Sequence, residues 1–426
     1  MAGRREQADG DSGTTSRLSR RGFFTGAAGG LAAGGLAGVG GTLAAGAVEG
    51  PGSSGQQSNS DLTYSFYGSG PQAGVRTPPQ QYCVFMTFDL QIETARELQV
   101  LLATWSGAID RLMSGKAIGS VEPSRSSAVP TDTGEAQELG PNGLTVTLGL
   151  GPGVFDKRFD LAAMKPALLA DLPSLPSDQL RAELTGGDIS LQACADHPQV
   201  AYHAIRDLAR MARESVHTRW TVMGFGKASA GAGQKTPRNL LGFKDGTRNI
   251  TEKSDYDDFV WLGKDAGWMA GGTYQIARKI QMNIEIWDAD HIGDQQDVFG
   301  RTKHVGAPLT GKHEFDTPDF AKKKADGDPV IPATSHIALA AHENNDGIKI
   351  LRRPYNYTDG ISRFGQLDAG LLFMVYTNDP DNFSRLQRKL GASDRLNEYI
   401  GHIGSAVFAV PPAVKSGHYL AEELFG

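Results

Sequence analysis

Tyr82-Cys83-Val84-Phe85-Met86-Thr87-Phe88 reads as a strand, and the segment behind it, Thr94 to about Met113, carries Leu98, Leu101, Leu102, Trp105, Ile109 and Leu112 at helical spacing. Working outward, Leu144 to Leu150 and Asp188 to Ala193 read as strands. Pro198 to about Glu214 follows as a helix, and Thr218 to Phe225 as a last strand. The order βαββαβ is the split-βαβ or ferredoxin-like plan, an antiparallel sheet backed by helices. A looser copy follows: strand Thr273 to Met282, a short helical piece at Ile284 to Trp287, a long irregular region, strand Gly370 to Tyr376, helix Asp381 to Leu390 and strand Ala406 to Val410. The expected fold class is therefore α+β, with two ferredoxin-like domains at 61–226 and 227–426. Long structureless insertions in a compact domain are usually functional, so the second copy is the one expected to carry a site.

The first fifty residues have a different character. Ser19-Arg20-Arg21-Gly22-Phe23-Phe24 precedes an uncharged stretch, Gly26 to Val48, and Ala45-Gly46-Ala47 offers a small-x-small cleavage pattern. Together they form a twin-arginine export signal over 1–47, which carries cargo already folded and commonly loaded with a cofactor. Glycines weaken the alternative of a retained membrane anchor, so the membrane is expected only as a barrier crossed on export to a periplasmic, cell-surface or extracellular place. Residues 48–60 are mostly Gly, Ser, Pro and Gln, and are expected to be a disordered linker.

Bulk composition narrows the choice further. A net charge of −6, with no basic run or basic-aromatic stripe, argues against a nucleic-acid partner; Lys322-Lys323-Lys324 reads as a solvated loop. Cys83 and Cys194 are the only cysteines, each in a strand-like run, and both are expected to be buried small side chains, their pairing left open. There is no C-x-x-C-H, which excludes covalent c-type haem attachment, and no C-x-x-C pair. Asp255, Asp257 and Asp258 lack EF-hand spacing and read as a solvated acidic loop.

Between the halves lies Gly242-Phe243-Lys244-Asp245-Gly246-Thr247-Arg248-Asn249, in isolation an ordinary Asp-Gly turn. In order after it come Trp268 to Tyr274, Gly300-Arg301-Thr302-Lys303 with Gly306 to Leu309, Ser335-His336-Ile337, and Leu351-Arg352-Arg353-Pro354-Tyr355-Asn356-Tyr357. With the opening Phe66-Tyr67-Gly68 and Gln72-Ala73-Gly74, this set resembles the dye-decolorizing peroxidases, specifically their exported, deferrochelatase-like branch. The resemblance spans about Tyr64 to Pro411. It implies two ferredoxin-like domains with one non-covalent haem b in the second.

Carried over by position, the resemblance implies His336 as iron ligand among ten histidines, with His304, His313 and His342 as neighbours in sequence. After Ile337 the family's usual Arg and Asn-Pro are replaced by Ala338 and Ala340-Ala341-His342, which leaves the distal arginine between Arg352 and Arg353; Arg352 is taken as first of the pair. Asp245 is expected to move the peroxide proton, with Gly242 and Gly246 letting its turn approach the macrocycle. Arg352 supplies fixed positive charge where negative charge develops. The resemblance places Glu398 where an acid takes the second ring N–H of His336, with an exposed helix charge as the alternative, and it leaves Asn249 and Arg301 to meet haem propionates, form pocket wall or simply staple a loop. An aspartate base predicts activity in acid that falls towards neutrality.

The expected reaction is reduction of hydrogen peroxide at the expense of phenols, dyes or other donors, bulky donors reaching the haem through a surface Trp or Tyr. Trp105, Trp220, Trp261, Trp268, Trp287, Tyr355 and Tyr357 are candidates that residue identity does not separate. Haem or iron handling is the second expectation, and a colourless binding module the third. Assembly into a homo-oligomer stays open.

Overall fold

The protein is described by a computed structural model over residues 59–226 and 236–426. The twin-arginine segment, its cleavage site and residues 48–58 lie outside the described residues. Hydrogen bonding to the folded body is already present at Ser60, whose carbonyl accepts from Asn142 N at 3.0 Å.

The first half follows the expected order: β1 (Tyr82–Leu90), α1 (Ala95–Met113), β2 (Thr145–Leu150), β3 (Ile189–Ala195), α2 (Pro198–Met211) and β4 (Val216–Phe225). A capping box starts α1, Thr94 Oγ1 accepting from Glu97 N while Glu97 Oε2 accepts from Thr94 N. Pro198 opens α2, where its missing N–H leaves no helical carbonyl without a donor. Leu98, Leu102, Trp105 and Leu208 bury the apolar faces of both helices against Val84, Phe88, Leu148 and Leu191.

The second half contains α3 (Lys253–Phe259), β5 (Thr273–Met282), α4 (Ile284–Asp288), α5 (Ile292–Phe299), α6 (His336–Ala340), β6 (Leu351–Arg352), β7 (Tyr355–Ile361), β8 (Leu367–Thr377), α7 (Pro380–Ser393) and β9 (Ile400–Val410). The sequence pattern did not show β7. Its Tyr355 and Tyr357 point into protein while Thr358 to Ile361 are exposed, so no alternation runs along its length. With β7 added, the halves share one strand order, β2-β3-β1-β4 and β7-β8-β5-β9, all antiparallel.

The two sheets are not separate. Gly224 and Phe225 of β4 pair with Tyr357 and Asn356 of β7, and Leu150 of β2 pairs with Ala409 of β9, so eight strands close into a barrel with β6 adding to β8. Closure removes the sheet edges. Cys83, Phe85, Cys194, Trp220, Tyr355, Tyr357, Met374 and Phe408 fill its interior. On the outer face of the first half α1 and α2 lie directly on the sheet. The corresponding face of the second half, with Ile280, Met282, Leu371 and Phe373, instead forms one wall of a cavity closed by α5, α6 and α7.

Candidate active site

One wall of that cavity is built on the short helix α6. Ser335 occupies its N-cap and His336 its first turn, and the preceding chain is tied down where Arg395 N donates to Thr334 O at 3.1 Å. The end of α5 presses on the same place. Gly300 there has φ +75°, and a Cβ on it would stand 2.7 Å from Ile337 Cγ1 and 2.8 Å from Ser335 Oγ. A left-handed glycine thus lets α5 stop against the histidine segment.

His336 donates from Nδ1 to Asp394 Oδ2 at 2.7 Å. Asp394 closes α7, and its other oxygen accepts from Leu396 N at 2.9 Å, capping the turn Arg395–Glu398. One buried carboxylate therefore fixes a helix end and the imidazole together. Burial opposes a charge on His336, but the charge and hydrogen bond of Asp394 outweigh it and hold the imidazole above its usual range. Glu398, expected in this role, is exposed on the far side of the same turn; that expectation is corrected to Asp394. The ring keeps 33% of its side-chain surface open to the cavity, and Nε2 is the nitrogen that Asp394 leaves available.

Two other histidines reach the cavity. His402 is buried between Arg278 and Gln387, each within hydrogen-bond reach of a ring nitrogen, and burial, then the Arg278 charge, pushes it down to about 3. His342 sits against Arg248 and Glu343. His304 and His313 do not line the cavity. His336 alone of the three cavity histidines combines a carboxylate on one nitrogen with a second nitrogen that no hydrogen bond occupies, the arrangement that a metal-ligating imidazole requires.

Facing it is the loop 236–249. Asp245 N donates to Pro237 O at 2.8 Å, and Asn239 Oδ1 accepts from Phe243 N at 3.2 Å, folding the loop on itself. Phe243 anchors it, its ring stacked on Phe299 at 4.0 Å and edge-on to Trp287. Asp245, Gly246, Thr247 and Arg248 line the cavity, Gly246 with φ +133°. Gly242 does not: its φ of +85° and the 2.7 Å approach of Lys303 Cε explain the glycine, so its expected clearance for a macrocycle is corrected to a local turn.

Arg352 reaches the cavity beside Asp245, Nη1 3.7 Å from Oδ1, with 24% and 14% of the two side chains exposed. Its Nη2 donates to Thr247 O at 2.9 Å. Asn249 clamps the backbone behind it, Oδ1 accepting from Arg352 N and Nδ2 donating to Arg352 O. Asn249 is therefore a staple for Arg352 and not cavity wall. Arg353, one residue on, points through the sheet into the barrel, donating to Thr77 O and Gln80 Oε1. Strand alternation separates the pair.

Arg301 is cavity wall, with Nη1 donating to Gly306 O and Glu314 O. Burial, then repulsion from Arg248, with Arg352 adding to it, pushes its guanidinium down to about 10 despite Glu314. Glu314, Arg248 and Lys349 were not foreseen. Burial pushes the Glu314 carboxyl up, but Lys244, Thr236 and Thr247 outweigh this, hold it below the usual range and pin the loop.

These residues fit a haem. The walls are apolar (Ile280, Met282, Phe299, Leu371, Phe373, Phe383, Leu386), one imidazole is oriented by a carboxylate, and Arg248, Arg301 and Lys349 offer positive charge to anionic substituents.

Comparison with known proteins is consistent with that fit. Residues 72–226 match the family model for the N-terminal part of Dyp-type peroxidases, and 236–415 the model for their C-terminal part. The chain belongs to the Dyp-type peroxidase family. A deferrochelatase of Yersinia pseudotuberculosis is 38% identical over 389 residues, covering 88% of this chain and 87% of the relative. The deferrochelatase of Escherichia coli K12 is 37% identical, covering 85% and 86%. Among solved structures, a DyP-type peroxidase of Streptomyces coelicolor superposes with TM-score 0.81 at 36% identity, covering 87% of this chain and 99% of that one. Ferric DtpA of Streptomyces lividans gives 0.80 at 36%, with the same coverage. Dyp-type peroxidases are haem enzymes, and this member is a haem peroxidase.

Proposed function

We propose that this Dyp-type peroxidase holds its haem iron through His336 and works on peroxide with Asp245 and Arg352. The observation that supports it is the opposition of two built pairs across one apolar cavity, His336–Asp394 on one side and Asp245–Arg352 on the other. Bound there, haem supplies the site where peroxide binds and the electrons that cleave its O–O bond. Asp245 takes the proton from one peroxide oxygen and returns it to the other, which leaves as water. Arg352, held by Thr247 and Asn249, donates to the oxygen on which negative charge grows. Two one-electron donors and two protons complete the reduction of H2O2 to two waters. Asp394 takes the Nδ1 proton's hydrogen bond, so that Nε2 is the nitrogen left for the iron.

The test is haem titration and peroxide-dependent donor oxidation by the whole chain and its variants. His336→Ala should lose the haem band. Asp245→Asn and Arg352→Lys should retain it and turn over about 10²–10³-fold more slowly. Full turnover by Asp245→Asn would sink the assignment.

The deferrochelatase relatives support a second reading, in which the cavity receives haem and iron leaves it. Stoichiometric iron release with intact porphyrin, in place of repeated consumption of peroxide, would select it. For location we propose twin-arginine export on the strength of Arg20-Arg21 and the uncharged stretch behind them. An Arg20→Lys/Arg21→Lys double variant should stay in the cytoplasm, and undiminished export would reject the route.

A further inference from the structure

The barrel interior holds a set of groups the reaction above does not use. Arg353 is 2% exposed, and its Nε has no hydrogen-bond acceptor among the described residues. The titratable groups that favour its charge are Tyr355, Cys194, Tyr376 and Cys83. Both cysteines are fully buried, and they stand directly opposite each other in the antiparallel pairing of β1 with β3. Directly opposed residues share a face of the sheet and have Cα atoms about 4.5–5.5 Å apart. That lies inside the span of about 4.4–6.8 Å that a disulfide bridges. Tyr355 Oη also donates to Cys194 Sγ at 3.5 Å, inside the same cluster.

We propose that Cys83 and Cys194 are a dithiol that hydrogen peroxide oxidises to a cross-strand disulfide inside the barrel. The two sulfurs are not equivalent. Burial pushes both thiols up, but the hydrogen bond with Cys83, the Arg353 charge and the Tyr355 hydroxyl bring Cys194 down, whereas Cys83 stays high. Cys194 is thus the attacking thiolate. Its sulfur takes one peroxide oxygen, the O–O bond breaks, and Cys194 becomes a sulfenic acid while the other oxygen leaves as hydroxide and gains a proton from Cys83. The Cys83 sulfur then attacks that of Cys194, and the S–O bond breaks. The departing hydroxide takes up the proton that Cys194 had lost. In sum, two thiols and H2O2 give one disulfide and two waters, the sulfurs losing two electrons and the peroxide gaining two. The bond would tie β1 to β3 and remove the anion facing Arg353, the immediate chain neighbour of Arg352.

The proposal depends on the peroxidase reading only for its oxidant, and the test is independent of turnover. The haem-loaded chain is exposed to a few equivalents of H2O2, quenched, unfolded in an alkylating agent and weighed intact. The expected result is a loss of two hydrogens, no alkylation, and one proteolytic peptide pair joining Cys83 to Cys194 that a reductant separates. In Cys83→Ser the same treatment should leave one added oxygen on Cys194. Two alkylated thiols after treatment, or a bond only between different chains, would overturn the proposal. Formation of the bond in a preparation that does not oxidise donors would instead count against the peroxidase reading alone.

Discussion

Asp394 and Glu398 show what one helical turn does to a carboxylate. Both follow α7, yet Asp394 caps the turn from inside and reaches His336, while Glu398 faces solvent. Asp394→Ala should weaken haem binding about 10–100-fold, the usual cost of losing a ligand's carboxylate partner. Glu398→Ala should leave it unchanged; haem titration of the two variants decides. Arg352 and Arg353 divide in the same way. Arg353→Leu should lower thermal stability while changing peroxide reduction less than Arg352→Leu does, because its guanidinium lies on the barrel side of the sheet. Position along the chain selected Arg352, and only the pleat explains why its neighbour differs.

At the scale of elements, the contact between α5 and α6 sets where His336 stands. Gly300→Ala adds a Cβ 2.7 Å from Ile337 and strains a φ of +75°, costing about 2–4 kcal/mol. Denaturant unfolding should show that loss, together with weaker haem retention, as α5 backs away. In the first half, His203 of α2 meets Asp132 and Asp207 at 3.1 and 3.0 Å, tying the 114–144 loop to the helix. Burial alone would push this imidazole down, but the two carboxylates outweigh it and raise it above its ordinary value. A raised value stabilises the fold fully below the unfolded imidazole's range, and that stability is lost as pH climbs through the folded one. His203→Gln should therefore cost roughly 3 kcal/mol in mild acid and progressively less above neutrality. A pH-independent difference in urea midpoints would contradict the ion-pair account.

For the whole molecule, the closed barrel makes the halves mutually dependent. Tyr355 and Tyr357 of the second half pack with Phe85 and Trp220 of the first in one interior cluster, across the β4–β7 seam. Loss of the haem band, which reports the second half, and loss of far-UV ellipticity should coincide in one denaturant transition. Two separated transitions would show independent domains. Much of this was legible in the chain: the first βαββαβ unit, because each element has its own periodicity and caps, while Asp245, His336 and Arg352 were legible only through the order of motifs shared with a family, since the Asp-Gly segment by itself reads as a turn. Periodicity and caps are local properties, and local interactions are written in consecutive residues. Tertiary structure alone decided what depends on distant partners. It put β7 in the sheet despite its irregular pattern, closed two sheets into one barrel, chose Asp394 over Glu398, turned Asn249 into a clamp, and set Cys83 against Cys194. Each of those outcomes rests on which side chains meet across the fold, and spacing along a chain does not carry that information.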